Sequence, residues 1–247
     1  MHSEIQQYLK ALHLDRIHDI LDEEITAASQ KDVSYEDLLV RLLRAQWHAR
    51  QEKALEWRIK RARLPFSWTL ESFPFDKQPG VSRRQIRNFA TLDFVPKVEN
   101  IVFVGGTGVG KTGLAIGLLL KALQNGYRAL FIKAQDLFDE MFASLADRST
   151  PRFVRHLSRI DVLAIDEMGY LTIRPEQANV FFRLMEERYT RKPTLITTNL
   201  AYDEWHHLLG NPAMVDALLS RLRHRCHTVA IDGPSLRAPE VQAKEKK

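Results

Sequence analysis

A chain of 247 residues, 45% apolar and 27% charged, holds enough material for a continuous core in one medium domain, or one domain plus a small appendage. Its single cysteine, Cys226, excludes an intramolecular disulfide framework and points to a reducing, cytoplasmic compartment. No signal peptide is expected at the N-terminus, the longest apolar run (Leu114 to Leu120) is too short to cross a bilayer, and a net charge of +5 favours an anionic partner only weakly.

The first segment is acidic, with Asp15, Asp19, Asp22, Glu23, Glu24, Asp32, Glu36 and Asp37 against Lys10, Arg16 and Lys31. The sign then reverses: Arg41, Arg44, Arg50, Lys53, Arg58, Lys60, Arg61 and Arg63 face only Glu52 and Glu56. Ser34 is a candidate N-cap with Asp37 three residues on, and Leu38, Leu42, Ala45 and Ala49 recur at helical spacing. This predicts one long helix from Ser34 to Arg63, ended by Pro65, with one or two shorter helices of the first forty residues packed against it. Residues 1–64 thus read as a helical N-terminal domain. The basic stretch fits either a solvated helix face or a contact with DNA, the latter helped by Trp47 and Trp57. No pattern reads base edges, so such binding would follow the phosphate backbone.

From residue 65 to 97 the periodicity fails. Pro65, Pro74, Pro79, Gly80 and Pro96 punctuate scattered aromatics (Phe66, Trp68, Phe73, Phe75), which reads as an extended linker docking its rings on a neighbouring domain. Beyond it, short apolar runs at Ile101–Val104, Ala129–Ile132, Val162–Ile165, Leu195–Thr198 and Thr228–Ile231 alternate with helix-length segments. Buried parallel strands have this texture, so residues 98–236 read as a three-layer α/β domain. Residues 237–247, ending in the lysine-rich Lys244 to Lys247, read as a disordered tail.

Gly105, Gly106, Thr107, Gly108, Val109, Gly110, Lys111 and Thr112 match the phosphate-loop pattern between a predicted strand and a predicted helix. Glycines let successive N–H groups turn toward phosphate oxygens, and the helix adds the positive end of its dipole. Lys111 then reaches the β and γ phosphates of ATP and the Thr112 hydroxyl ligates Mg2+. Asp166 and Glu167 follow an apolar strand, at the edge where α/β sheets bind ligands. Asp166 is suited to hold magnesium and Glu167 to polarise a water for in-line attack. Asn199, ending Thr197-Thr198-Asn199, fits either a γ-phosphate sensor or the cap of the next helix. Arg221 is a candidate arginine finger acting from another subunit, with Arg223 and Arg225 as rivals. The histidines His206, His207, His224 and His227 lack metal-ligand spacing.

Together with the phosphate loop, the run Ile165-Asp166-Glu167-Met168-Gly169-Tyr170-Leu171, Glu187-Arg188-Tyr189, Thr197-Thr198-Asn199, Glu204-Trp205, Leu218-Leu219-Ser220-Arg221-Leu222 and Leu92-Asp93-Phe94 resemble IstB across nearly the whole chain. That family comprises ATP-binding helpers of bacterial insertion sequences, relatives of the helicase loader DnaC in the AAA+ class. The resemblance implies binding of ATP and duplex DNA, self-association into a multimer on DNA, and assistance to a cognate, IstA-like transposase. It places the phosphate loop on Gly105 to Thr112, the magnesium and catalytic acids on Asp166 and Glu167, sensor I on Asn199 and the trans-acting arginine on Arg221. The chain departs from the family at Gly113, often a histidine, and at Ser220, often an aspartate. After the last strand, Asp232 to Lys247 is too short for a helical lid, so a lid-borne arginine is not expected. Rival readings are a DnaC-like helicase loader, which shares the core, a small-molecule kinase and a binding module with vestigial hydrolysis.

Overall fold

The computed structural model describes residues 2–169 and 171–237; the expected disordered tail lies, but for Arg237, outside the described residues. Three helices come first: α1 (His2–Ala11), α2 (Asp15–Gln30) and α3 (Tyr35–Arg61). Then follow α4 (Arg83–Ala90), α5 (Phe94–Lys97), β1 (Asn100–Gly105), α6 (Lys111–Gln124), β2 (Ala129–Lys133), α7 (Ala134–Ala146) and α8 (Thr150–Ser158). The remainder is β3 (Val162–Met168), α9 (Pro175–Arg188), β4 (Thr194–Thr198), α10 (Trp205–Leu209), α11 (Pro212–His224) and β5 (Cys226–Ile231). Each predicted strand is present. Among the described residues no helix is long and apolar enough to cross a membrane.

Two compact units divide the chain, Met1–Trp57 and Arg58–Lys247. In the first, Leu9, Ile17, Leu21 and Leu42 form a small apolar core. Ser34 caps α3 as its spacing predicts: its hydroxyl accepts from the Asp37 amide at 3.1 Å and donates to the Asp37 carboxylate at 2.8 Å. Gln46, a buried polar residue of α3, accepts from the amides of Arg16 and Ile17 at 3.0 and 3.2 Å. Those amides open α2 and have no partner within the helix, so Gln46 satisfies donors that burial would otherwise strand.

The second unit begins within the last turn of α3. There Arg58 donates to the Leu123 carbonyl at 3.0 Å, and the Ala62 carbonyl accepts from Phe131 at 2.8 Å on the outer edge of the sheet. The stretch from 65 to 97 is extended only in part. Ser82 caps α4 by accepting from Gln85 at 3.2 Å, and Ile86, Phe89, Phe94 and Val95 bury themselves at helical spacing. Proline and glycine punctuation hides these short helices from a periodicity reading.

The five strands are parallel in the order β2-β3-β4-β1-β5. From β1 the chain leaps to the far edge and then steps back, so right-handed crossovers place α6 on one face and the later helices on the other. Val102, Leu130, Ile132, Leu163, Ile165 and Ile196 face the core built by α7 to α11, and alternate strand residues turn toward α6. The carboxyl ends of β1, β3 and β4 therefore meet along one rim.

Candidate active site

At that rim the loop after β1 makes two left-handed turns, at Gly108 (φ 81°) and Gly110 (φ 100°), which side chains rarely adopt. Their backbone is also approached too closely for a Cβ, by Ser235 Oγ at Gly108 and by the Phe73 ring at Gly110. Lys111 folds back over the loop and donates to the carbonyls of Gly105 and Gly106 at 2.7 and 2.6 Å. Burial pushes its pKa down, against the charges of Asp166 and Glu167, which favour the ammonium.

The two acids are treated differently by the strand that carries them. Asp166 is buried and receives Thr112 Oγ1 at 2.9 Å and Thr197 Oγ1 at 2.6 Å. Burial raises its pKa, and the two hydroxyl donors pull the other way. After Ile165 the pairing of β3 with β4 slips by one residue, so that Met168 meets Thr198. The extra residue is a bulge, and it bends Glu167 into the left-handed region (φ 59°) with its side chain exposed toward the cavity. The strained turn is held by the Glu167 amide, which donates to Thr197 Oγ1 at 2.9 Å. One hydroxyl thus positions both neighbouring acids.

Asn199 lines the same cavity, and its Oδ1 is buried without a partner. Unpaired buried polar atoms are costly, and this one stands where a ligand or water belongs. Sequence reasoning gave no role to four other lining residues: Phe66, Trp68, Leu236 and Arg237. The aromatics were visible as docking residues, but nothing in their spacing tied them to the loop. Trp68 packs on Gly113, where an added Cβ would lie 3.0 Å from the indole. The departure from histidine at that position is therefore a seat for a ring brought from another part of the chain.

Arg221 does not line this cavity. It sits on α11, its side chain 45% exposed, with a long 3.8 Å contact to Glu186. Its rivals are engaged: Arg223 stacks over Tyr202 at 5.1 Å, and Arg225 donates to the Lys97 carbonyl at 3.2 Å. The basic residues of α3 lie in exposed or half-buried positions. Lys53 is 3.8 Å from Asp15 and Arg41 is 4.0 Å from Glu24. Arg50 makes a long contact with the His13 carbonyl at 3.4 Å, and Arg63 pairs with Glu140 at 2.7 Å. Arg188 is a core residue, 1% exposed, donating to Thr194 Oγ1 and to the carbonyls of Leu157, Ile160 and Pro193. Its burial pushes the pKa down to about 9.

A glycine loop after β1, acids at the end of β3 and this strand order define a P-loop protein of the AAA+ class, lacking a helical lid among the described residues. Residues 7–244 match the family described as IstB-like ATP binding protein, and the chain belongs to that family. It is 35% identical to the ATP-binding protein of insertion sequence IS21 from Pseudomonas aeruginosa, over 96% of this chain and 89% of that one. It is 34% identical to the ATP-binding protein of insertion sequence IS5376 from Geobacillus stearothermophilus, over 100% and 98%. The crystal structure of DnaI is similar in fold, with a TM-score of 0.57 at 21% identity over 66% of this chain and 90% of that one.

Proposed function

We propose that the protein is an ATPase whose nucleotide state controls its assembly on duplex DNA, in the cytoplasm, in support of a cognate transposase. The observation that carries the reading is the meeting of Thr112, Asp166 and Glu167 beside the phosphate loop, with Thr197 bridging the two acids. Membership of a family of insertion-sequence ATP-binding proteins supports ATP as ligand and transposition as context.

In this reading the loop amides of Gly105 to Gly110 and the Lys111 ammonium take the phosphate chain, exchanging the two carbonyl contacts of Lys111 for phosphate oxygens. Thr112 and Asp166 would hold Mg2+. Their hard oxygen donors already converge within 2.9 Å, a set suited to that ion, which supplies charge neutralisation on the phosphates. Glu167 accepts the proton of a water aligned with the γ-phosphorus, and Asn199 holds that water or the phosphate it attacks. The phosphoryl group passes to the water and ADP leaves. A carboxylate placed to activate water argues against a kinase, which must exclude water from its phosphoryl group.

Arg221 is the arginine offered to a neighbouring subunit, since it is the one of the three with the loosest internal contact. A γ-phosphate bridged between subunits stabilises the assembled form only while ATP is intact. Assembly would align the basic residues of α3 (Arg41, Arg44, Arg50, Lys53, Lys60 and Arg61, with Arg58 and Arg63 partly committed to internal contacts) along the DNA backbone. Sedimentation with duplex DNA tests the coupling. Glu167→Gln with ATP is expected to remain in large DNA-bound species under conditions where the wild type disassembles. Equal behaviour of the two proteins, or large species with ADP alone, would refute it.

A further inference from the structure

The segment after β5 does not leave the domain. From Asp232 it turns back across the phosphate loop, and three contacts fix it there. The Leu236 amide donates to the Gly108 carbonyl at 2.9 Å, between the two left-handed glycines. Gln78, with no exposed surface, donates to the Pro234 carbonyl at 2.6 Å. Ser235 Oγ occupies the space where a Cβ on Gly108 would stand, and it accepts from the Arg237 amide at 3.2 Å.

This strap carries Arg237 to the rim of the cavity lined by Lys111, Thr112, Glu167 and Asn199. Among the described residues the Arg237 guanidinium has no hydrogen-bond or ion-pair partner. Its charge is near enough to Lys111 to oppose protonation of that ammonium. Two cations that repel across one cavity, on a loop whose amides also point positive, form a site that an anion would relieve.

We infer that Arg237 is a phosphate-binding residue acting in cis: the strap tied to Gly108 and Gln78 holds its guanidinium against the phosphate chain of the subunit's own nucleotide. This rests on the ATP-binding reading and extends it. A guanidinium takes phosphate oxygens two at a time, so it registers how many phosphates are present as well as their charge. Arg237 would thus help a subunit tell ATP from ADP before any neighbour contributes Arg221. The short strap after the last strand would supply this grip on the nucleotide without a further domain.

The test is the affinity of the full-length protein for ATP and for ADP, each with magnesium, in wild type, Arg237→Ala, Arg237→Lys and Gln78→Ala. Arg237→Ala is expected to weaken ATP about tenfold, as removal of one charge-assisted hydrogen bond does, and ADP clearly less. Arg237→Lys should recover part of that affinity. Gln78→Ala, which frees the strap but keeps the arginine, should shift the ATP-to-ADP ratio in the same direction. Thermal melting of Arg237→Ala near the wild-type value would exclude a general loss of folding. ATP binding within twofold of wild type in Arg237→Ala, or equal losses for ATP and ADP, would overturn the assignment while leaving the ATP-binding reading intact. No binding by the wild type would instead sink that reading, and this one with it.

Discussion

The Thr197 hydroxyl on β4 reaches Asp166 Oδ1 at the end of β3 at 2.6 Å, and this hydrogen bond joins the nucleotide rim to the interior of the sheet. Because the same oxygen accepts from the Glu167 amide at 2.9 Å, it fixes a buried acid and a strained exposed one together. Thr197→Val keeps the shape and removes both bonds. The variant should lose about 1–3 kcal/mol of stability from the stranded amide and carboxylate. ATP hydrolysis should fall at least about tenfold, the scale of a misplaced catalytic group, while ATP affinity changes less. Chemical denaturation and phosphate release measure the two effects; hydrolysis at the wild-type rate would show that the bulge holds Glu167 without help.

Arg188 closes the far end of the domain. Its donors serve carbonyls from the end of α8 and the start of β4, so its removal strands several acceptors at once. Arg188→Met should cost about 3–5 kcal/mol, the range for breaking a buried charged network. In a unit of this size that is a fall in Tm of roughly 10 °C. Calorimetry gives the value directly, and a fall of a degree or two would mean that water replaces the guanidinium at little cost.

Much of this was legible beforehand. The five strands announced themselves as apolar runs, because a parallel sheet covered on both faces needs no polar alternation. The phosphate loop and the two acids were legible from motif chemistry. The bulge at Glu167 was not, since a one-residue slip leaves no trace in composition, and neither was Gln46, whose burial depends on the helix it caps. The strap from Asp232 to Arg237 was hidden most completely. It has no periodicity, and its partners Gln78 and Gly108 lie far away in sequence.

Asp161 sets an acid limit on stability. Burial pushes its carboxyl up, but hydrogen bonds from Arg128 and Lys192 outweigh that and hold it well below its ordinary 3.8. A carboxyl depressed on folding contributes stability that is fully present above the unfolded value and is lost as pH falls through the folded one. Stability should therefore decline from about pH 4 downward. Asp161→Asn should flatten that decline and lower stability at neutral pH by about 1 kcal/mol, given the solvent screening of Arg128. Denaturation series from pH 7 to pH 2 compare the two; identical acid slopes would remove Asp161 from the account.

Binding of DNA phosphates along α3 would release counterions, so the logarithm of affinity should fall linearly with the logarithm of salt concentration. Replacing Arg44 by glutamine should reduce that slope by about 0.9 for each phosphate the arginine neutralises, with similar effect on unrelated duplexes. Fluorescence anisotropy across a salt series reads the slope. An unchanged slope would assign Arg44 to a solvated face.

The most direct measurement is calorimetric titration of the purified protein with ATP and magnesium, beside Lys111→Ala. The wild type should bind one nucleotide per chain, and the variant should bind about a hundredfold more weakly for want of one strong charge-assisted interaction. Absence of saturable binding by the wild type, or equal affinity in the variant, would contradict the claim that this loop grips a triphosphate.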